Sequence, residues 1–205
     1  MTPDHLVAHF FRHEYGRLVA VLARQTGLQH IEAVEDAVQS ALEKALHEWT
    51  RTAPPANPSG WLYRVARNQV IGELRQSTKR RELLARNAAV SSDPDTTPGP
   101  DEVFKGEMQD DLLRMLFICC DEAIPPASQV VVALKTLCGF SVREIALRLF
   151  TSEANVYQRL NRARRRLRQV DLGGDLTMDE FAQRLSVVHR VLYLLFTEGY
   201  LSNHA

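Results

Sequence analysis

Apolar residues recur along this chain at steps of three and four, and no stretch alternates at a step of two. That periodicity predicts an all-α fold without internal repeats. A first helix is expected over residues 5–28, with Leu6, Phe10, Phe11, Tyr15, Leu18, Val19 and Leu22 on one side and Gly27 as its stop. A second covers 32–49, with Val34, Ala37, Val38, Ala41, Leu42, Ala45, Leu46 and Trp49 facing inward. Its polar side carries Asp36, Gln39, Ser40, Glu43, Lys44 and His47, either a wet back or a face for a partner; periodicity does not choose. The proline-rich run 50–60 reads as a loop, and Asn57-Pro58 suits an N-cap followed by proline at the first helical position. The third helix, 58–86, places Leu62, Val65, Ala66, Val70 and Leu74 inside. Gly72 within it is expected to mark a close helix contact, because mid-helix glycine costs about 1 kcal/mol against alanine.

Residues 87–100, NAAVSSDPDTTPGP, have no apolar period and read as a flexible linker. A helix over 101–123 with Phe104, Met108, Leu112, Met115, Leu116 and Ile118 inside ends at Pro125-Pro126, and another covers 127–137 up to Gly139. Two helices and a short turn then fill 141–170. Val142, Ile145, Ala146 and Leu149 stripe the first, and Ser141 with Glu144 forms a capping box. Phe150-Thr151-Ser152 breaks the pattern, and Ser152 is a second cap. The second helix buries Val156, Leu160, Ala163 and Leu167 and carries Asn155, Arg159, Arg162 and Arg166 in a narrow arc a quarter turn away. Such a helix can lie in a DNA major groove, where arginine pairs bidentately with guanine and Asn or Gln with adenine. A last helix is expected from a Thr177/Glu180 capping box to Gly199, striped by Phe181, Leu185, Val188, Leu192 and Leu195. His189 on it has no second ligand at helical spacing and reads as a packed or surface histidine.

The zero net charge conceals segregation. Residues 1–87 carry +3, 88–134 carry −7, 135–170 carry +7 and 171–205 carry −3. Two basic blocks around an acidic one suggest two modules that face nucleic acid. Arginines 159, 162, 164, 165, 166 and 168 stand against the lone Glu153 on one helix, and a polyanion would relieve their repulsion. The plain alternative is a solvated amphipathic helix. On 58–86, Arg64, Arg67, Asn68, Arg75, Lys79, Arg80 and Arg81 project outward near Trp61 and Tyr63, which suits phosphate contacts beside platforms for unstacked bases. Trp61 is equally readable as a core residue. Cys119, Cys120 and Cys138 have no zinc-ligand spacing and read as buried small hydrophobes in a reducing compartment; an exposed Cys119-Cys120 pair could instead be redox-active. No metal or cofactor is expected. The start MTPDH is no secretory leader and the apolar run 191–196 is too short to span a bilayer, so the expected location is the cytoplasm.

Three segments in order, VEDAVQSALEKALHEW (34–49), GWLYRVARNQVIGELRQ (60–76) and FSVREIALRLFTSEANVYQRLNRARRRLRQ (140–169), resemble the extracytoplasmic-function sigma factors of bacterial RNA polymerase. The resemblance implies a sigma-2 domain over 1–87, a linker over 88–102, a helix-turn-helix sigma-4 domain over 103–170 and the start of a C-terminal extension over 171–205. It implies that Asp36, Gln39 and Leu42 touch the β′ clamp helices of the polymerase core. The loop 52–57, including Asn57, would hold a flipped −10 base, though its prolines leave the pocket residue open. Trp61, Arg64, Arg67, Asn68 and Arg75 would serve the opened −10 strand. Asn155, Gln158, Arg159, Arg162 and Arg166 would read the −35 groove while sigma-4 rides on the β flap. RVLYLLFTEGYLSNHA (190–205) resembles the start of a helical extension that in one subgroup continues much further and stands in for a separate anti-sigma factor; a truncated chain and a short-tailed member both fit.

The implied function is promoter recognition in transcription initiation, not enzymatic chemistry. A stand-alone helix-turn-helix regulator is the alternative; it would need dimer symmetry, for which the last helix is the one candidate. For an enzyme there is no phosphate-binding glycine loop, no HExxH and no GxSxG.

Overall fold

The computed structural model describes residues 3–84, 107–169 and 178–202; side chains at 3–13, 79–84, 107–110, 178, 180 and 194–202 lie outside that description. The expected linker 87–100, the Thr177/Glu180 capping box and the side chains of Leu6, Phe10, Phe11, Lys79, Arg80, Arg81, Phe104, Met108 and Leu195 therefore fall outside it as well.

The described residues are helical and contain no strand. Helix α1 (Pro3–Thr26) ends where Gly27, at φ 90°, bonds its N–H to the Ala23 carbonyl at 2.8 Å. A 3-10 turn, Leu28–His30, leads into α2 (Ile31–Trp49). Val34, Ala37, Val38, Ala41, Leu42, Ala45 and Trp49 of α2 are buried, as their spacing requires. Leu46, expected inside, is 41% exposed, whereas Glu35, on the same edge of the helix, is 2% exposed. At 100° per residue both sit at the margin of the apolar arc. Other helices cover that margin at Glu35 and leave it open at Leu46.

Helix α3 (Pro58–Leu84) packs on α2 through Leu62, Ala66 and Val70. Gly72 does not mark a close contact: a Cβ built there meets nothing within 4 Å. Tyr63 is core, 8% exposed, and its hydroxyl is bonded to the Gln25 amide at 2.8 Å.

Helix α4 (Glu107–Cys119) stops before the expected end at residue 123, because Asp121 turns the chain by accepting from the Ala123 N–H at 2.9 Å. Helix α5 (Pro126–Cys138) starts with proline at its first position and closes on left-handed Gly139, φ 69°. Helices α6 (Val142–Arg148) and α7 (Glu153–Leu167) follow. Helix α8 (Met178–Ser202) runs past Gly199, which is therefore no stop. It docks on α4 and α5 with Phe181, Arg184, Val188 and Val191, leaving Leu185 and Leu192 44% and 47% exposed. The inward face is set by Arg184, whose guanidinium donates to the Phe117 carbonyl at 3.2 Å and to Asp121 at 3.1 Å.

Helix α1 also packs against α4 and α5, so the two halves share one continuous hydrophobic core. Cys119 and Cys120 are buried and Cys138 is half-buried. Burial pushes all three thiols up, Cys120 and Cys138 to about 12, which keeps them protonated and unreactive. No helix among the described residues is long and apolar enough to cross a membrane.

Candidate nucleic-acid interface

The helix-turn-helix is held by local bonds that its sequence dictates. The Ser141 hydroxyl accepts from the Glu144 N–H at 3.2 Å, and the Glu144 carboxylate accepts from the Ser141 N–H at 2.7 Å. Burial pushes the Glu144 carboxyl up, but these two bonds with Arg148 and Lys135 outweigh it and hold it below the ordinary carboxylate range. Ser152 caps α7 by accepting from the Asn155 N–H at 3.2 Å. Between the helices, the Phe150 N–H bonds the Leu147 carbonyl at 3.3 Å and the Thr151 N–H bonds the Ala146 carbonyl at 2.9 Å. That pattern is a Schellman motif, whose left-handed position is usually glycine. Here it is Phe150, at φ 49° and 98% exposed. A bulky residue in that region costs about 1–2 kcal/mol, and this one recovers nothing by burial. Phe150→Gly is therefore expected to stabilise the chain by about 0.5–1 kcal/mol, less than the full strain because glycine loosens the unfolded chain. Urea denaturation reads this directly, and a loss of stability would contradict the assigned turn geometry.

Helix α7 buries Val156, Leu160, Ala163 and Leu167. Gln158 and Arg162 are exposed and Arg159 is half-buried. Among the described residues no carboxylate lies within ion-pair distance of Arg159 or Arg162. Asn155 and Arg166 are placed on the same side but are occupied. The Asn155 amide donates to the Thr151 hydroxyl at 3.0 Å. Arg166 lies 3.5 Å from Asp121 and donates to Gln169 at 3.3 Å. Base contact by either requires that bond to open.

Arg164 and Arg168 occupy a third side of α7, about a quarter turn beyond the apolar stripe and away from the Arg159–Arg162 arc. Arg164 donates to Glu32 at 2.9 Å and to Glu35, and Arg168 donates to Glu32 at 3.3 Å. By sequence alone these arginines group with the DNA-facing charge. Their carboxylate partners lie more than a hundred residues away, beyond the reach of any local pattern.

In the other half, Asn57 caps α3 by accepting from the Gly60 N–H at 2.9 Å, and the loop before it is largely exposed. The Thr52 hydroxyl donates to the Glu48 carbonyl at 2.9 Å, tying the start of that loop to α2. Arg64, Asn68 and Arg75 are exposed on α3 and Arg67 is half-buried. Trp61 packs against Trp49 with ring centroids 5.6 Å apart and stays half-buried. Tyr63, being core, offers no stacking platform. Of the residues expected to touch a polymerase, Asp36 and Gln39 are exposed on α2. Leu42 is 3% exposed within the core, because its position falls inside the apolar arc of the helix, and it presents no surface.

Two family profiles match the chain: "Sigma-70 region 2" over residues 10–80 and "Sigma-70, region 4" over residues 114–167. A protein of Rhizobium meliloti described as uncharacterized is 34% identical over 174 residues, which is 84% of this chain and 41% of that protein. The chain thus spans about two fifths of that relative's length. "ECF RNA polymerase sigma factor SigL" of Mycobacterium tuberculosis is 33% identical over 138 residues, 65% of this chain and 72% of that protein. No solved structure matches the chain.

Proposed function

The chain belongs to the extracytoplasmic-function family of RNA polymerase sigma factors, and from that premise we propose that it directs the polymerase to promoters in the cytoplasm. In this reading residues 1–87 bind the core and the −10 element, residues 103–170 bind the −35 element, and residues 171–205 act on the other two within the same chain. The protein performs no covalent chemistry. Its work is differential binding: groove contacts position the complex, and capture of an unstacked −10 base offsets a few kcal/mol of duplex distortion.

The observation that carries the reading is the state of α7. Two capped helices present Gln158, Arg159 and Arg162 together, with no described carboxylate against the arginines, on the side of the helix that its own core does not use. Arginine and amide donors in that arc fit guanine and adenine edges. On α3, Arg64, Asn68 and Arg75 follow one exposed side and suit the backbone of a separated strand.

Asp36 and Gln39 are the proposed contacts with the β′ clamp helices, and the sigma-4 half is proposed to meet the β flap. Asp36→Arg reverses a charge on an exposed position and leaves the core of α2 untouched. It is expected to weaken retention by purified core polymerase about tenfold, equivalent to about 1.4 kcal/mol, while the circular dichroism spectrum is unchanged. Retention equal to that of the unsubstituted chain would remove this face from the polymerase interface.

A further inference from the structure

One carboxylate joins the last helix to the arginine arc of α7. Asp121 lies in the turn between α4 and α5, and that turn is pinned. Its Oδ1 accepts from the Ala123 N–H at 2.9 Å, and its main-chain carbonyl accepts from the buried Gln129 amide at 2.8 Å. Its Oδ2 accepts from the guanidinium of Arg184 on α8 at 3.1 Å, while the Nε of Arg166 on α7 stands 3.5 Å from Oδ1. The two arginines differ in freedom. Arg184 is buried and also donates to the Phe117 carbonyl, so it is a fixed partner. The Arg166 side chain is 41% exposed, and its other contact is with Gln169, just past the end of α7. A charge-assisted hydrogen bond runs at about 2.7–2.9 Å, so Arg166 holds the weaker share of the Asp121 charge. A pair this exposed adds little to folding. Its consequence falls on whatever else would take the guanidinium.

Resting on the DNA-binding reading of α7 above, we propose that Asp121 is a positioning residue for that binding: it holds Arg166 back from the phosphate backbone, and Arg184, by filling the other carboxylate oxygen, limits how firmly it does so. Arg166 meets phosphate here and not a base. It stands near the end of α7 (Glu153–Leu167), about 20 Å along the axis from the Ser152 cap. Recognition helices read base edges with their N-terminal turns, and the major groove is only about 8.5 Å deep and about 12 Å wide. At Arg166 the helix is beyond the stretch that reaches the bases. Phosphate and the Asp121 carboxylate then compete for one guanidinium. Each guanidinium that reaches a phosphate releases about one counterion, so the competition is visible in the salt dependence of binding. Neutralising Asp121 releases Arg166 to the DNA. Removing the Arg184 charge leaves the whole carboxylate to Arg166 and draws it away. Helix α8 thus bears on DNA affinity through a shared charge, without touching the residues that read sequence.

The test titrates an unrelated DNA duplex with the full chain at about 50–200 mM salt. Asp121→Asn keeps an oxygen for the Ala123 N–H, and Arg184→Gln keeps a donor for the Phe117 carbonyl. Asp121→Asn is expected to raise affinity about two- to fivefold and to steepen the salt slope by up to about 0.9. Arg184→Gln is expected to lower affinity about twofold and to flatten the slope. The overall field of the chain would give the same two signs, because one substitution removes a negative charge and the other a positive one. The double variant Asp121→Asn/Arg184→Gln separates the two causes, since it has the net charge of the unsubstituted chain. A field effect returns affinity to its starting value; release of Arg166 keeps it at the Asp121→Asn level. With Arg166→Gln in place, Asp121→Asn should do no more than Glu122→Gln, at the exposed carboxylate next in the chain. That comparison carries the test alone if Arg184→Gln does not fold. A double variant that binds like the unsubstituted chain, or an Asp121→Asn gain that survives Arg166→Gln, overturns the proposal. Complexes formed with core polymerase on a genomic promoter library are the second arm. The expected pattern on unrelated duplex, with no promoter complex from any form, supports the role of Asp121 and overturns the sigma reading instead.

Discussion

A chain carrying Arg159→Ala and Arg162→Ala is expected to lose most of its preference for its −35 sequence. Each arginine sits in the arc of α7 that faces away from the core, and neither is neutralised by a described carboxylate. A bidentate arginine–guanine contact is worth about 1–3 kcal/mol of discrimination. The two positions are one helical turn apart and share neighbours, so their losses will add incompletely. A combined loss of about 2–4 kcal/mol, roughly 30- to 1,000-fold in specific affinity, is the expected outcome. Binding to unrelated duplex should change much less, with the salt slope falling by about one unit for each phosphate contact removed. Lysine at the same positions retains the charge but not the planar fork, so it should restore non-specific affinity and little of the selectivity. Competition between cognate and scrambled duplexes in the presence of core polymerase separates the two terms. Equal losses on both duplexes would mean that these arginines only touch phosphate.

Leu160→Ala carries the largest expected stability cost. Leu160 is 2% exposed in the stripe that anchors α7 to the core. Deleting a buried leucine side chain costs about 2–5 kcal/mol through lost transfer energy and the cavity left behind. Against a total of about 5–15 kcal/mol that is a large fraction, and it falls on the helix that carries the proposed DNA contacts. Urea denaturation should show the midpoint falling with little change in slope. A loss below about 1 kcal/mol would mean that α7 is anchored elsewhere. The neighbouring Arg159→Ala, on an outward position, should by contrast cost little stability.

What the sequence made legible is local. The caps Ser141, Ser152 and Asn57, the stop at Gly139, the stripe of α7 and, Leu46 apart, that of α2 are written within a few residues of where they act, and each lies where the pattern places it. Family membership was equally legible, because three motifs stand in a fixed order along the chain.

The departures from pattern have non-local causes. No local pattern singles out Glu35; it is buried because Thr136 and Arg164, distant in sequence, come to it. Arg164 reads as DNA-facing charge for the same reason. Leu185 and Leu192 have the right spacing for a core stripe, yet α8 is turned by the pull of Asp121 on Arg184, which brings Val191 inward instead. Leu42 belongs to the core by its own periodicity, and its assignment to a partner rests on the resemblance alone. Phe150 breaks a local rule outright, since nothing in its side chain signals a left-handed turn.

The measurement that tests the central claim most directly is a gel-shift titration of a genomic promoter library with the purified chain, with and without core RNA polymerase, followed by run-off transcription from the captured fragments. The account predicts that sequence-specific complexes and transcripts arise only when core is present. Specific duplex binding by the chain alone, unaffected by core and yielding no transcript, would contradict it and identify a stand-alone helix-turn-helix regulator.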